Sequence, residues 1–155
     1  VMAIFAYALI ADSAIAATTT GTLDVTASVA ASCTVISAAN VPFGAYDPTA
    51  PYGGVGLVAG PFAFTFRCVK STNYKLHIAR NNSMTSGADT LAYNLYTDAG
   101  TSSPWASTAP VGWDVASPAL NNGVISKDIY GKILPYENAA VAALYSETVT
   151  VTVTY

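Results

Sequence analysis

Two cysteines, one histidine and nine carboxylates are the residues of this chain that could carry chemistry. Cys33 and Cys68 are far from the close Cys-x-x-Cys spacing of a redox-active pair, so the expectation in an oxidising compartment is a structural disulfide. Such a bridge would close a loop of 35 residues, worth roughly 4 kcal/mol on the chain-entropy view. His77 has no second histidine to join it, and a metal or catalytic role would need a cluster. Asp98 and Asp114 could act as an acid–base pair, yet nothing in their spacing selects them from the other carboxylates. Asp47, between Tyr46 and Pro48, reads as a turn rather than part of a calcium loop with spaced carboxylates. Asn81-Asn82-Ser83 has the form of a glycosylation sequon and reads as a plain loop. Trp105 and Trp113 flank Pro110 and could stack on a sugar, although burial in a sandwich is the commoner fate of such rings. No catalytic residue, metal or cofactor is therefore expected.

The elements that must position these residues have a period of two. In the run from Phe62 to Cys68, Phe62, Phe64, Phe66 and Cys68 share one face and Ala63, Thr65 and Arg67 the other. Tyr74, Leu76 and Ile78 alternate with Lys75, His77 and Ala79, and Leu91, Tyr93 and Leu95 with Ala92, Asn94 and Tyr96. The clearest strand signal is the last one, where Val149, Val151, Val153 and Tyr155 alternate with threonines. Turn markers separate the runs: Pro51-Tyr52-Gly53-Gly54, Asn81-Asn82-Ser83, Asp98-Ala99-Gly100 and Asn121-Asn122-Gly123. Residues 137–144 could form a turn or two of helix, and no long amphipathic helix is visible. Short alternating strands, frequent turns and a disulfide predict an all-β sandwich.

One more alternating run precedes the first cysteine. Gly21, Leu23, Val25, Ala27 and Val29 occupy one face, and the positions between them are polar. It reads either as the first strand of the sandwich or as a detachable strand that completes another chain's sheet. Leu23, Val25 and Val29, buried in a groove, would contribute about 5–9 kcal/mol as an upper bound.

With 155 residues, 52% hydrophobic and 10% charged, the chain is expected to form one domain and is not of disordered composition. Six Lys and Arg, none before Arg67, argue against nucleic acid as a partner. Solubility must come from Thr, Ser, Asn and Gly, which suits an extracellular or assembling protein. Residues 1–11 are nearly all apolar, are followed by Asp12, and lead to a small-x-small Ala14-Ile15-Ala16 site. The run is too short to span a bilayer and reads as a secretory signal cut near Ala16 or Ala17. The expected organisation is a signal-like segment over residues 1–17, an N-terminal strand over 18–31 and a β-sandwich domain over 32–155.

Several motifs in order resemble the spore coat protein U domain family. They are Cys33-Thr34-Val35, the Phe43-Gly44-Ala45-Tyr46-Asp47-Pro48 stretch, Cys68, the residues from Leu91 to Asp98, Trp105, Tyr130-Gly131-Lys132-Ile133 and the strand that ends at Tyr155. The resemblance implies a subunit of archaic chaperone–usher pili, with an incomplete immunoglobulin-like sandwich that a donor strand from a neighbouring subunit completes. It implies as partners a periplasmic chaperone, an outer-membrane usher and identical subunits in a helical homopolymer. It implies export through the periplasm to a cell-surface pilus that serves adhesion and biofilm formation. The strand carrying Val149, Val151, Val153 and Tyr155 is then expected to border the acceptor groove, and residues Gly21, Leu23, Val25, Ala27 and Val29 to be the donor. An edge of alternating Val and Thr left open would aggregate unless another chain paired with it. A tip adhesin of the same system would need a receptor-binding domain for which this length leaves no room beside the sandwich. A secreted carbohydrate-binding module is the remaining alternative.

Overall fold

The computed structural model describes residues 18–38, 40–107 and 118–155. The signal-like segment at 1–17, Pro110, Trp113 and Asp114 lie outside the described residues. The chain is all-β: β1 (Cys33–Ser37), β2 (Leu57–Cys68), β3 (Lys75–Ala79), β4 (Ser83–Ser86), β5 (Asp89–Ala92), β6 (Asn94–Tyr96), β7 (Val124–Ile133) and β8 (Thr150–Thr154). A single 3-10 turn, Tyr52–Gly54, precedes β2. Among the described residues no helix is long and apolar enough to cross a membrane.

The period-two faces become the core. Phe64, Phe66 and Cys68 of β2 are fully buried, while Ala63 and Arg67 point to solvent. Leu76 and Ile78 of β3 face them, joined by Leu95, Ile129 and Ile133. Phe66 stacks on Phe64 at 5.4 Å and meets the edge of Tyr74 at 5.0 Å, which ties the two layers together. Each such side chain contributes about 1.5–3 kcal/mol on leaving water. Pro61 interrupts β2 where its pairing with β7 shifts between Ala59 and Phe62. A proline is tolerated at a bulge because no ladder hydrogen bond is lost there. Gly60 beside it has φ +125°, and a Cβ there would lie 2.8 Å from the Ile129 carbonyl oxygen, so only glycine fits.

The sheet order identifies the fold. One sheet runs β1-β2-β7-β6, a second pairs β3 with β8, and β4-β5 is a separate hairpin. With the hairpin set aside, the six remaining strands are ordered first-second-fifth-fourth and third-sixth. An immunoglobulin-like sandwich has these two sheets, with a seventh strand beside the sixth. Among the described residues, no strand pairs with the edge of β8 opposite β3. The fold is an incomplete immunoglobulin-like sandwich.

Cys33 and Cys68 are bonded to each other, and they are also directly opposed in the β1–β2 ladder. The bridge therefore fastens the first residue of the sandwich to the end of its longest strand.

Candidate functional site

Residues 18–31 form no strand and lie outside the sandwich. Leu23 and Val25 are each 87% exposed and Val29 is 80% exposed, with Gly21 and Ala27 also open to solvent. The sequence pattern is that of a strand, but a lone strand has no ladder partner and cannot bury its apolar face. Three large aliphatic side chains on one face of a solvated segment form a surface that favours a partner.

A groove of about 960 Å³ opens in the sandwich between residues 40–48, which follow β1, and residues 139–147, which lead into β8. Met84, Leu91 and Ile133 line it from the core side. No residue of 18–31 lines it.

The first wall depends on a glycine. A Cβ at Gly131 of β7 would lie 2.5 Å from Phe43 Cζ and 2.9 Å from Val41 Cγ1. The bare backbone at Gly131 lets Val41 and Phe43 lie directly on β7, and Phe43 then meets Tyr93 edge-on at 5.9 Å. Tyr46 anchors the rest of the wall: its hydroxyl donates to the Leu134 carbonyl at 2.7 Å and accepts from the Glu137 N–H at 3.0 Å. Its ring stacks on Tyr52 at 5.6 Å. Asp47 accepts from the Thr49 N–H and hydroxyl, which closes the turn expected there and holds its carboxyl below the ordinary range. Gly131→Ala is expected to cost about 1–3 kcal/mol by overpacking, seen as a lower urea midpoint. In a double-mutant cycle with Phe43→Leu, the two losses should be clearly less than additive, because the rings and the new methyl compete for one volume.

The second wall has little structure of its own. Residues 137–144 form no helix, which corrects the expectation of a helical turn or two. Their fixed points are the Tyr145 hydroxyl, which donates to the Ala140 carbonyl at 2.7 Å, and a paired exchange of backbone bonds between Ser146 and Thr85. Val141 and Leu144 are exposed. Glu147 closes the wall against the core, accepting from the Asn81 N–H, the Ser83 N–H and the Tyr93 hydroxyl. Burial, and after it the bond to Glu147, pushes the Tyr93 phenol well above its ordinary range, so this contact keeps its proton at any physiological pH. Arg80 stands behind it, donating to Asn82 Oδ1 and to the carbonyls of Ile78 and Trp105.

Val149, Val151 and Val153 are half-buried against the core, and Tyr155 is exposed. These four residues do not line the groove; the segments named above do. Val41, Phe43, Met84 and residues 139–147 had no distinctive spacing to mark them as lining residues. The opening is made by segments far apart in the chain.

Residues considered for other chemistry are placed elsewhere. His77 is half-buried opposite Thr152 in the β3–β8 ladder, rather than standing free at the surface. Trp105 is 3% exposed, and its Nε1–H donates to the Asp128 carbonyl at 3.2 Å, so its ring is a core element and not a sugar platform. Asp98 accepts from the N–H groups of Ser102 and Ser103, which hold its carboxyl below the ordinary range and organise the 98–103 turn. Among the described residues no three His, Cys, Asp or Glu side chains gather as a metal site.

Comparison with known proteins adds the following. No curated protein matches the chain. Among solved structures, the chain is similar to one in the crystal structure of the CsuC–CsuE chaperone–tip adhesion subunit pre-assembly complex from the archaic chaperone–usher Csu pili of Acinetobacter baumannii, with a TM-score of 0.53 and 19% identity. The match covers 82% of this chain and 40% of the Csu chain, so this chain spans well under half of that chain's length. At that identity the likeness shows the shared fold. The Spore Coat Protein U domain matches residues 19–152, nearly the whole described sandwich together with the free run before it, and the chain belongs to that family.

Proposed function

We propose that the chain is a structural subunit of an extracellular chaperone–usher pilus, assembled by donor-strand exchange and serving surface attachment and biofilm formation. One observation carries this reading: a sandwich in which, among the described residues, no strand borders the free edge of β8 belongs to the same chain as an unpaired, strand-length apolar run. Residues Gly21, Leu23, Val25, Ala27 and Val29 act as the donor. Paired beside β8 in the next subunit, they supply the seventh strand that an immunoglobulin-like sandwich calls for. Their apolar face enters the groove lined by Phe43, Met84, Leu91 and Ile133.

The run does not complete its own sandwich, because only Ala30, Ala31 and Ser32 separate Val29 from Cys33. Val29 and Cys33 can be at most about 14 Å apart along the chain, too little to carry Val29 from the Cys33 end to the start of its own β8 and pair the run antiparallel there. The product is therefore an open head-to-tail homopolymer. Before assembly a periplasmic chaperone covers the groove, and an outer-membrane usher is where exchange takes place. The chain acts through burial and pairing, without catalysis or a cofactor.

The test is electron microscopy of the purified, exported protein. Filaments one subunit wide are the expected result. Monodisperse particles at high concentration, once any chaperone is removed, would refute the reading.

A further inference from the structure

Apart from Lys127 and Asp128, which sit midway along β7, several charges of the described residues gather at the two ends of the sandwich. β1 begins, β2 ends and β3 begins at one end, where the ladder pairs Cys33 with Cys68 and Lys75 with Thr154. Arg67, Lys70 and Lys75, all exposed, stand at that end, from which the free run departs carrying Asp24. Lys70 shares a small cleft with Val29 and Ala31, so this cation sits at the root of the tether.

At the opposite end β7 finishes at Ile133 and the groove opens. Asp47 lies between the groove residues Tyr46 and Pro48, Glu137 is bonded through its N–H to Tyr46, and Asp89 is in the β4–β5 hairpin. Two cations also lie toward this end. Arg80 is engaged by Asn82 and two carbonyls, and Lys132 donates to Thr101 Oγ1 at 3.3 Å. The groove rim therefore presents carboxylates.

We propose that the cationic turn around Lys70 docks on the acidic groove rim, at Asp47 and Glu137, of the next copy of this chain. This rests on the donor-strand reading above. A run inserted antiparallel to β8 has its Val29 end where β8 begins, at the rim. The three-residue tether then brings the donor's own Lys70 end against that rim. The other insertion direction would deliver Val29 to the Thr154 end of the neighbour and press two cationic ends together. Opposite charge at the two mating ends guides encounter, sets direction and disfavours the reversed approach.

Filament growth from the full chain is followed by light scattering at low and high salt, with melting curves to confirm that each variant folds. Lys70→Glu and Glu137→Lys are each expected to slow growth about tenfold at low salt. The deficit should vanish near 0.5 M salt, where exposed charges are screened. Combining the two changes in one chain should restore most of the rate. Unchanged growth of both single variants, or no recovery in the combined variant, would overturn the docking proposal. Val25→Asp separates the two claims: if it blocks growth while the charge variants do nothing, only the docking fails. If it grows normally, the donor reading fails and the docking proposal with it.

Discussion

Val25→Asp is expected to abolish filament growth, while Thr26→Asp leaves it nearly normal. Leu23, Val25, Ala27 and Val29 alternate with polar residues, so an inserted run must point Val25 inward and Thr26 outward. An aspartate at position 25 would bring an unpaired charge into an apolar groove, at a cost of several kcal/mol. Val25 is 87% exposed in the single chain and belongs to no part of the sandwich. The variant should therefore melt like the parent and still occupy its chaperone, and the defect should appear only in filament yield on micrographs. Equal yields from the two variants would mean that the alternating face is misassigned or that another segment is the donor.

The second large effect concerns the disulfide. The Cys33→Ala/Cys68→Ala variant is expected to lose about 4 kcal/mol of stability, from the entropy regained by the unfolded chain when a 35-residue loop is released. A small sandwich without a seventh strand has little reserve, since whole domains are stable by only about 5–15 kcal/mol. Urea unfolding of the isolated subunit should show the loss as a large drop in midpoint with a somewhat steeper slope, because the unbridged denatured chain exposes more surface. A drop under about 1 kcal/mol would show that the reduced chain keeps compact structure around the same loop.

Much of this fold is legible in the alternation of residue types. The faces of Phe64, Phe66 and Cys68 and of Leu76 and Ile78 can be assigned from period two because each of these strands has one dry side, and Val151 and Val153 pack half-buried against the same core. Alternation names a face but not a partner. The run from Leu91 to Tyr96 reads as one strand, yet it leaves β4 for β7 at Tyr93 and becomes β5 and β6. Leu91, Tyr93 and Leu95 on its apolar face are buried nonetheless. The alanine-rich 139–143 stretch has helical propensity, and the structure places it as a non-helical groove wall, held by Tyr145 and by the Ser146–Thr85 pair. Tertiary contacts override local preference there. Gly131 stands in a motif readable by resemblance, but its purpose is visible only where Val41 and Phe43 cross β7. The groove is the least legible feature, because it belongs to no segment and arises between residues nearly a hundred positions apart.

The position of the disulfide also decides how the subunit bears tension. In a filament joined by inserted strands, a pull along the axis enters each subunit through Ser32 and reaches Cys33 first. Pulled from that residue, the five-residue β1 would otherwise peel from β2 one pair at a time, like a zipper opened at its tab. The covalent link at the very first pair sends the load past β1 directly into β2. β2 is held along most of its twelve residues by β7, in the most extensive ladder of the sandwich. The short β1 is thus bypassed, and in such a filament the force would be borne by many backbone bonds at once.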